Sequence, residues 1–344
     1  MRHQYANLDA LRGVAAGAVL LYHAHDWFGT RVWFGHGYMA VDFFFVLSGF
    51  VIAFAYEQRL AQTGSLARFV RDRIVRLYPM IVAGAALGAV AFVARARSNG
   101  IAIDGGATAA IVAAAVPWPV TWTGGDPWPV NPPIWSIFWE LAVNLLFALT
   151  VRWWTTRIVA AVVLVTMLAL AVLSWRMGGF VHMGPMADGW ALGGLRTLGG
   201  FGLGVLTLRL HRQGIGAGTG RRWWVVAALL LATTVLPGGT GVARWLDPLL
   251  AALVFPAIVL AAAGSASLGH RFARIGGDLS YPVYAVHMPL LLLFAGLWTR
   301  LGLKGGVWQP VGGVAMLVAV IAAAWIAHRF WDVPLRARLK RRSG

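Results

Sequence analysis

The sequence predicts an all-α, polytopic integral membrane protein with about ten transmembrane helices. The chain has 344 residues, of which 59% are hydrophobic and only 12% are charged. Apolar runs of about twenty residues, the length that a helix needs to cross the hydrocarbon core, recur along it. No polar stretch is long enough to form a separate soluble domain, so we expect one membrane-embedded domain over residues 1–344.

Ten predicted spans follow one another along the chain. They lie near residues 8–27, 38–57, 74–94, 133–151, 157–174, 195–210, 223–237, 247–264, 279–297 and 309–330. The stretch 107–120 is also apolar, but it ends in Pro117, Trp118 and Pro119 and continues into a loop rich in glycine, proline and tryptophan. It therefore predicts one re-entrant or interfacial segment. The glycine-rich sixth span predicts close packing against neighbouring helices.

The basic residues predict that both termini are cytoplasmic. With the N-terminus inside, ten spans place most arginines in cytoplasmic loops and the tail, and leave outside only Arg31, Arg95, Arg97, Arg176, Arg196, Arg244, Arg300 and Lys304. A full span at 107–120 would invert every later loop and remove this asymmetry. The net charge of +17 therefore indicates contact with anionic lipids and a phosphorylated ligand, and we expect no nucleic-acid partner.

Two polar residues share one stripe of the first predicted span. Arg12 and His23 are eleven residues apart, which on a helix is about three turns plus 20° and roughly 16 Å along the axis. Charged and titratable groups inside a span usually face a polar cavity. His23 lies in the outer half, where its imidazole could act as a general base. The alternative is one snorkelling arginine and one buried, hydrogen-bonded histidine.

Asp42 enters the second predicted span from the outer side, at about the depth of His23. Its carboxylate could orient His23 and stabilise the imidazolium, or it could only accept backbone hydrogen bonds at the start of a helix. His25 is rotated about 200° from His23, so we expect no metal site from this pair. The absence of cysteine excludes acyl-cysteine chemistry and thiolate metal ligands.

An arginine-rich run leads into the third predicted span. It contains two pairs with i,i+3 spacing, Arg68 with Arg71 and Arg73 with Arg76, at the cytoplasmic rim. Guanidinium groups stay charged and bind phosphates through two hydrogen bonds at once. The alternative is a basic loop that only sets the topology.

The fourth predicted span carries a polar stripe of Ser136, Glu140 and Asn144 at spacings of four. Glu140 could hold an acceptor hydroxyl, change the proton affinity of His23, or make structural hydrogen bonds. Trp135 lies on an adjoining face, where it could stack on a sugar ring or anchor the helix at the interface.

The ninth predicted span places Ser280, Tyr284 and His287 on one face. His287 falls near the middle of the membrane. It could polarise a carbonyl group there, or hold the ninth span against the first.

Five segments resemble the signatures of acyltransferase family 3, the polytopic bacterial membrane enzymes that O-acylate glycans and other carbohydrate-bearing molecules. The first two signatures of that family are an arginine followed after ten residues by a histidine, and the segment Phe-Phe-Val-Leu-Ser-Gly-Phe. The third is an arginine-rich run that ends in Arg-x-x-Pro. The fourth and fifth are Trp-Ser-x-x-x-Glu and Ser-Tyr-x-x-Tyr-x-x-His-x-Pro. The matching residues are Arg12 to His23, Phe44 to Phe50, Arg76 to Pro79, Trp135 to Glu140 and Ser280 to Pro289. After the last span the family usually has Glu-x-Pro, where this chain has Asp332, Val333 and Pro334.

The resemblance implies that the protein transfers an acyl group, expected to be acetyl, from cytoplasmic acyl-CoA to a hydroxyl of a carbohydrate-containing acceptor. It also implies a place in the bacterial cytoplasmic membrane. The expected roles are catalytic for His23, Asp42 and Glu140, donor-binding for Arg12, Arg68, Arg71, Arg73 and Arg76, and substrate-binding for Trp135, Ser136, Tyr284 and His287. The alternatives are a transporter or flippase of a glycan or lipid intermediate, and an acyltransferase for a soluble molecule such as a macrolide.

Overall fold

The computed structural model describes residues 5–28, 34–122, 125–216, 223–236, 240–264 and 270–341. These residues form helices and connecting loops, with no β-strand among them. The α-helices are α1 Ala6–His23, α2 Ala40–Thr63, α3 Leu66–Ser98, α4 Gly105–Ala115, α5 Ile134–Thr150, α6 Thr156–Met177, α7 Leu192–Arg212, α8 Trp223–Val235, α9 Thr240–Leu249, α10 Phe255–Ala263, α11 His270–Arg300, α12 Trp308–Ala327 and α13 Val333–Arg341. Single π-helical turns join α9 to α10 at Leu250–Val254 and α12 to α13 at His328–Asp332.

Among the described residues, seven helical segments are long and apolar enough to cross a membrane. They are Gly37–Thr63, Leu66–Ser98, Ile134–Trp153, Thr156–Met177, Gly241–Ala263, Ala273–Arg300 and Trp308–Arg341. The predicted polytopic, all-helical membrane architecture is therefore confirmed. The first, sixth and seventh predicted spans correspond to α1, α7 and the 13-residue α8, which lie outside these seven. The count of ten stays a prediction.

The apolar stretch 107–120 overlaps the short helix α4, Gly105–Ala115, which lies against α3. Its eleven residues extend about 16 Å, which is too short to cross the hydrocarbon core. The Asp104 side chain caps its first turn by accepting a hydrogen bond from the backbone N–H of Ala107 at 2.7 Å. One alanine-rich face packs against Ala85, Val120 and Val130.

Glycines bring two pairs of helices into backbone contact. A Cβ atom at Gly204 of α7 would lie 2.0 Å from the carbonyl oxygen of Val46 in α2, and one at Gly49 would lie 2.0 Å from that of Phe201. In the same way, a Cβ atom at Gly13 of α1 would lie 2.7 Å from the Cα atom of Gly276 in α11. The close packing predicted for the sixth span is thus present between α7 and α2, and a second close contact joins α1 to α11.

We expect Gly204→Ala to lower the midpoint of thermal unfolding in detergent, because a methyl group would collide with rigid backbone. Overpacking of this kind destabilises a protein by about 1–3 kcal/mol. Gly296→Ala in α11 is the matched control, since a Cβ atom there has no neighbour within 4 Å. Equal midpoints for the two variants would show that the contact between α2 and α7 can relax.

Candidate active site

A cavity of about 750 Å³ opens between α1, α2, α3, α5, α11 and α13. Its described lining carries six positively charged side chains, from Arg12, Arg73, Arg76, Arg274, Arg336 and Lys340. Four carboxylates share the wall, from Asp9, Asp72, Glu140 and Asp278. The excess of cations makes this space suitable for an anionic ligand.

The arginine run divides into two parts with different surroundings. It lies on the first turns of α3, which begins at Leu66, so it is helical and not a loop. Arg73 and Arg76 line the cavity, whereas Arg68 and Arg71 are exposed and do not. The helical turn therefore offers only half of the predicted phosphate-binding residues to a ligand in the cavity.

Arg73 is the buried member of this cation group, with 8% of its surface exposed. Its guanidinium carbon lies 5.6 Å from the ring centre of Tyr56, a cation–π contact. Its Nε atom has no hydrogen-bond partner among the described residues. A buried donor left unsatisfied is costly, so this arginine is well placed for an acceptor that enters the cavity.

Arg12 enters the same wall from α1. Its Nη1 atom lies 2.8 Å from Oδ1 of Asp9, one turn earlier, and only 16% of its side chain is exposed. Arg12, Arg73 and Arg76 line the same cavity, where their like charges repel one another. An anion bound between them would relieve this repulsion.

Two hydrogen-bonded polar pairs also line the cavity. The hydroxyl of Ser48 donates a hydrogen bond to Oε1 of Glu140 at 2.8 Å. The hydroxyl oxygens of Ser136 and Tyr284 lie 2.6 Å apart. Sequence reasoning assigned no role to Ser48, although it lies in the matching Phe44 to Phe50 segment. These pairs place hydroxyl groups and one carboxylate beside any group that passes the arginines.

His23 lies beyond the cavity and does not line it. The centre of its ring is 5.2 Å from that of His287, whose ring is 5.7 Å from that of Tyr284. Tyr284 does line the cavity, so three neighbouring rings connect the cavity wall to His23. His23 is half-buried, at the last residue of α1.

His287 is completely buried between Tyr284 and His23. Its Nδ1 atom lies 2.8 Å from the carbonyl oxygen of Tyr284 and 3.2 Å from that of Val283. Because carbonyls only accept hydrogen bonds, Nδ1 carries the proton and Nε2 keeps a lone pair. That Nε2 atom has no hydrogen-bond partner among the described residues. The ring is therefore fixed by its own helix, with one basic nitrogen left over.

Residues 5–329 match the family model described as an acyltransferase domain, which is nearly the whole chain. The chain belongs to acyltransferase family 3. "Protein 2 in picA locus" of Rhizobium radiobacter is 36% identical to it over 179 residues, which are 48% of this chain and 91% of that protein. Among solved structures, none matches the chain significantly. The membership that the five segments predicted is confirmed, and the protein is a membrane acyltransferase.

Asp42 of this acyltransferase is paired with an arginine and not with His23. Arg196 of α7 donates from Nε to Oδ1 at 3.1 Å and from Nη2 to Oδ2 at 2.5 Å. Its remaining nitrogen donates to the carbonyl oxygens of Phe180 at 2.9 Å and Met183 at 2.6 Å. Both charged side chains are buried. Both carboxylate oxygens of Asp42 therefore accept hydrogen bonds from Arg196. The sequence had suggested His23, or the backbone N–H groups at the start of a helix, as their partners.

Sequence reasoning counted Arg196 only toward the topology. The signal that could have revealed its role is a charged residue inside the glycine-rich sixth span. Glycine permits the pairing, because a Cβ atom at Gly200 would lie 2.8 Å from the Cβ atom of Phe45 and would push α7 away from α2.

Trp135 also belongs to this ion pair. The guanidinium carbon of Arg196 lies 5.1 Å from the centre of its ring, and Phe45 packs against the ring edge-on. The side chain is buried and does not line the cavity. This placement gives the ring no open face for a sugar, in contrast to the stacking role that the sequence suggested.

We expect Arg196→Ala to reduce the amount of folded protein, because it leaves the Asp42 carboxylate buried without its partner. Removing one member of a buried ion pair costs about 3–5 kcal/mol. Arg176→Ala at the exposed end of α6 is the matched control. Thermal unfolding and size-exclusion chromatography in detergent measure the difference. An Arg196→Ala variant that folds normally but has lost activity would instead place this pair in the reaction.

The described residues contain no group of three or more histidine, cysteine, aspartate or glutamate side chains that could hold a metal ion.

Proposed function

We propose that this acyltransferase moves an acyl group, most simply acetyl, from cytoplasmic acyl-CoA to a hydroxyl of a carbohydrate-containing acceptor. One observation carries the proposal: Ser136 and Tyr284 line a cation-rich cavity, and the rings of His287 and then His23 follow Tyr284 behind its wall. The cations suit the phosphates of the donor, and the imidazoles suit proton transfer from a hydroxyl.

The donor would place its phosphates among Arg12, Arg73 and Arg76, and its thioester would have to pass Tyr284 and come within reach of His23. Guanidinium groups are suited to the first task, since they keep their charge in a partly buried wall. The hydroxyl groups of Ser136 and Tyr284 bond to each other and lie 3.2 and 3.1 Å from the carbonyl oxygen of Pro133. One of them would leave this carbonyl to donate to the thioester oxygen as negative charge develops on it. Glu140, held by Ser48, would orient the pantetheine arm or an acceptor hydroxyl beside them.

His23 would serve as the general base of the reaction. Its imidazole removes the proton from the acceptor hydroxyl, the hydroxyl oxygen bonds to the thioester carbon, and the carbon–sulfur bond breaks. The imidazolium then returns the proton to the departing CoA thiolate. His287 keeps the ring of His23 in place, and its own Nε2 lone pair can accept a hydrogen bond at the junction.

We also propose that the chain crosses the bacterial cytoplasmic membrane ten times, with both termini in the cytoplasm. Arg12 and His23 lie on one helix eleven positions apart, or roughly 16 Å along its axis. If Arg12 is at the inner side, His23 is near the outer side. Donor and acceptor could then approach the same site from opposite faces.

The proposal is tested by supplying labelled acetyl-CoA to membranes that contain the protein, and to the purified protein. We expect release of free CoA and transfer of the label to a carbohydrate-containing molecule. A transporter or flippase would release no CoA, and this result would contradict the proposal. Label in a soluble small molecule would support the soluble-acceptor alternative and would contradict the glycan acceptor.

A further inference from the structure

The C-terminal helix α13 contributes two cations to the cavity. Arg336 and Lys340 both line it, although they lie beyond residue 329, where the match to the family model ends. They are four residues apart and therefore lie on one face of α13. Lys340, Arg338 and Arg341 are all exposed, but Arg338 and Arg341 do not line the cavity.

A buried carboxylate holds this face of α13 in position. Asp332 is fully buried, with Oδ1 at 2.6 Å from Nε of Arg336 and Oδ2 at 3.1 Å from Nδ1 of His328. The contact uses the Nε side of the Arg336 guanidinium, so its two terminal nitrogens are left for another acceptor. Three-quarters of the Arg336 side chain is nevertheless buried, with 23% exposed.

The backbone geometry contributes to the same arrangement. The last long helical segment continues through a π-helical turn, His328–Asp332, that joins α12 to α13. The indole N–H of Trp331 in this turn donates to the carbonyl oxygen of Pro79 in α3 at 2.7 Å. That bond ties the turn to the helix that carries Arg73 and Arg76. π-Helical turns inside helices occur often at functional sites.

Taking acyl-CoA as the donor proposed above, we infer that α13 forms part of the binding site for the nucleotide phosphates, with Arg336 and Lys340 as ligands and Asp332 as the residue that positions Arg336. Arg76 of α3 and Arg336 of α13 line the same cavity. A phosphate between α3 and α13 would bind both. Asp332 stands where the family usually has glutamate, and its shorter side chain still reaches the arginine.

The test uses the full-length protein in lipid nanodiscs and three probes: acetyl-CoA, adenosine 3′,5′-bisphosphate and S-acetylpantetheine. The double variant Arg336→Ala with Lys340→Ala is compared with Arg338→Ala with Arg341→Ala, which removes the same charge from the same helix. The first variant loses charge-assisted hydrogen bonds to the phosphates, so we expect the Kd of both nucleotide probes to rise about tenfold or more. The second should change them by less than about twofold, since exposed charges are screened.

The third probe separates a binding role from a structural one. S-acetylpantetheine lacks the nucleotide, so its Kd should be the same for wild type, Arg336→Ala with Lys340→Ala, and Asp332→Asn. Asp332→Asn should weaken binding of the bisphosphate alone, and Asp332→Glu should restore it. Equal weakening of all three probes would assign this segment to stability and overturn the inference.

The outcomes also separate this inference from the proposed function. If the wild-type protein binds neither nucleotide probe, acyl-CoA is not the donor, and both the proposed function and the role of α13 are contradicted. A wild type that binds both probes, with unchanged binding in Arg336→Ala with Lys340→Ala, would overturn only the role of α13.

Discussion

His23→Ala should lower the rate of acyl transfer by about 10²- to 10⁴-fold, the range expected when a general base is removed. The side chain is half-buried at the end of α1, and its ring packs against His287 and Tyr22. Truncation there should leave the helices folded. Transfer of label from acetyl-CoA measures the rate, and thermal unfolding verifies the fold.

His25→Ala is the matched control for this variant. His25 lies two residues further on, where its Nδ1 atom is 2.5 Å from the carbonyl oxygen of Tyr22 and its Nε2 atom is 3.1 Å from Asp26. We expect its removal to have little effect on the rate. Equal labelling by His23→Ala and wild type would exclude His23 as the base, and equal losses in both variants would indicate a local structural effect.

Replacing Arg73 and Arg76 together with alanine should raise the KM for acetyl-CoA by about 10²-fold or more. Each substitution removes charge-assisted hydrogen bonds worth about 1.5–3 kcal/mol. The expected effect is on donor binding, because both side chains line the cavity and neither belongs to the polar pairs or the histidine rings. Initial rates of CoA release at several donor concentrations measure it.

Arg68→Ala with Arg71→Ala provides a control on the same helix, with the same loss of charge. Neither residue lines the cavity, so KM should change by less than about threefold. An equal rise in KM for the two double variants would instead show that the arginine run acts through membrane topology or a long-range field.

Helical periodicity predicted those parts of the site that lie on a single helix. Spacings of four placed Ser136 and Glu140 on one stripe, and both line the cavity. The rotation between Arg12 and His23 also predicted one stripe, but only Arg12 reaches the cavity, because the two positions are roughly 16 Å apart along the axis. Helical periodicity predicts the direction in which a side chain points from its helix. It does not predict how far a cavity extends along that helix.

Partners on separate helices could not be predicted in this way. Asp42 and Arg196 are 154 residues apart in the chain. Only the glycine-mediated approach of α7 to α2 brings them together, and no spacing within either helix reveals it. The same holds for α13, since the phase of Arg336 and Lys340 relative to α3 depends on the π-helical turn that precedes them.

The membrane architecture followed directly from composition, because long apolar segments have few stable alternatives to helices. The places where one apolar segment is divided into successive helices could not be predicted from the sequence. The eighth predicted span near 247–264 is preceded in the structure by α9 and contains the Leu250–Val254 π-helical turn. Local hydropathy does not record such a change of helical phase.

The central claim is that the donor lies in the cation-rich cavity with its reactive end directed toward His287 and His23. A cryo-EM structure of the protein in nanodiscs with a non-hydrolysable acyl-CoA analogue measures this directly. We predict phosphates against Arg73 and Arg76 and the acyl carbon beside Tyr284. An analogue bound outside the cavity, or with its acyl end directed away from Tyr284 and His23, would contradict the account.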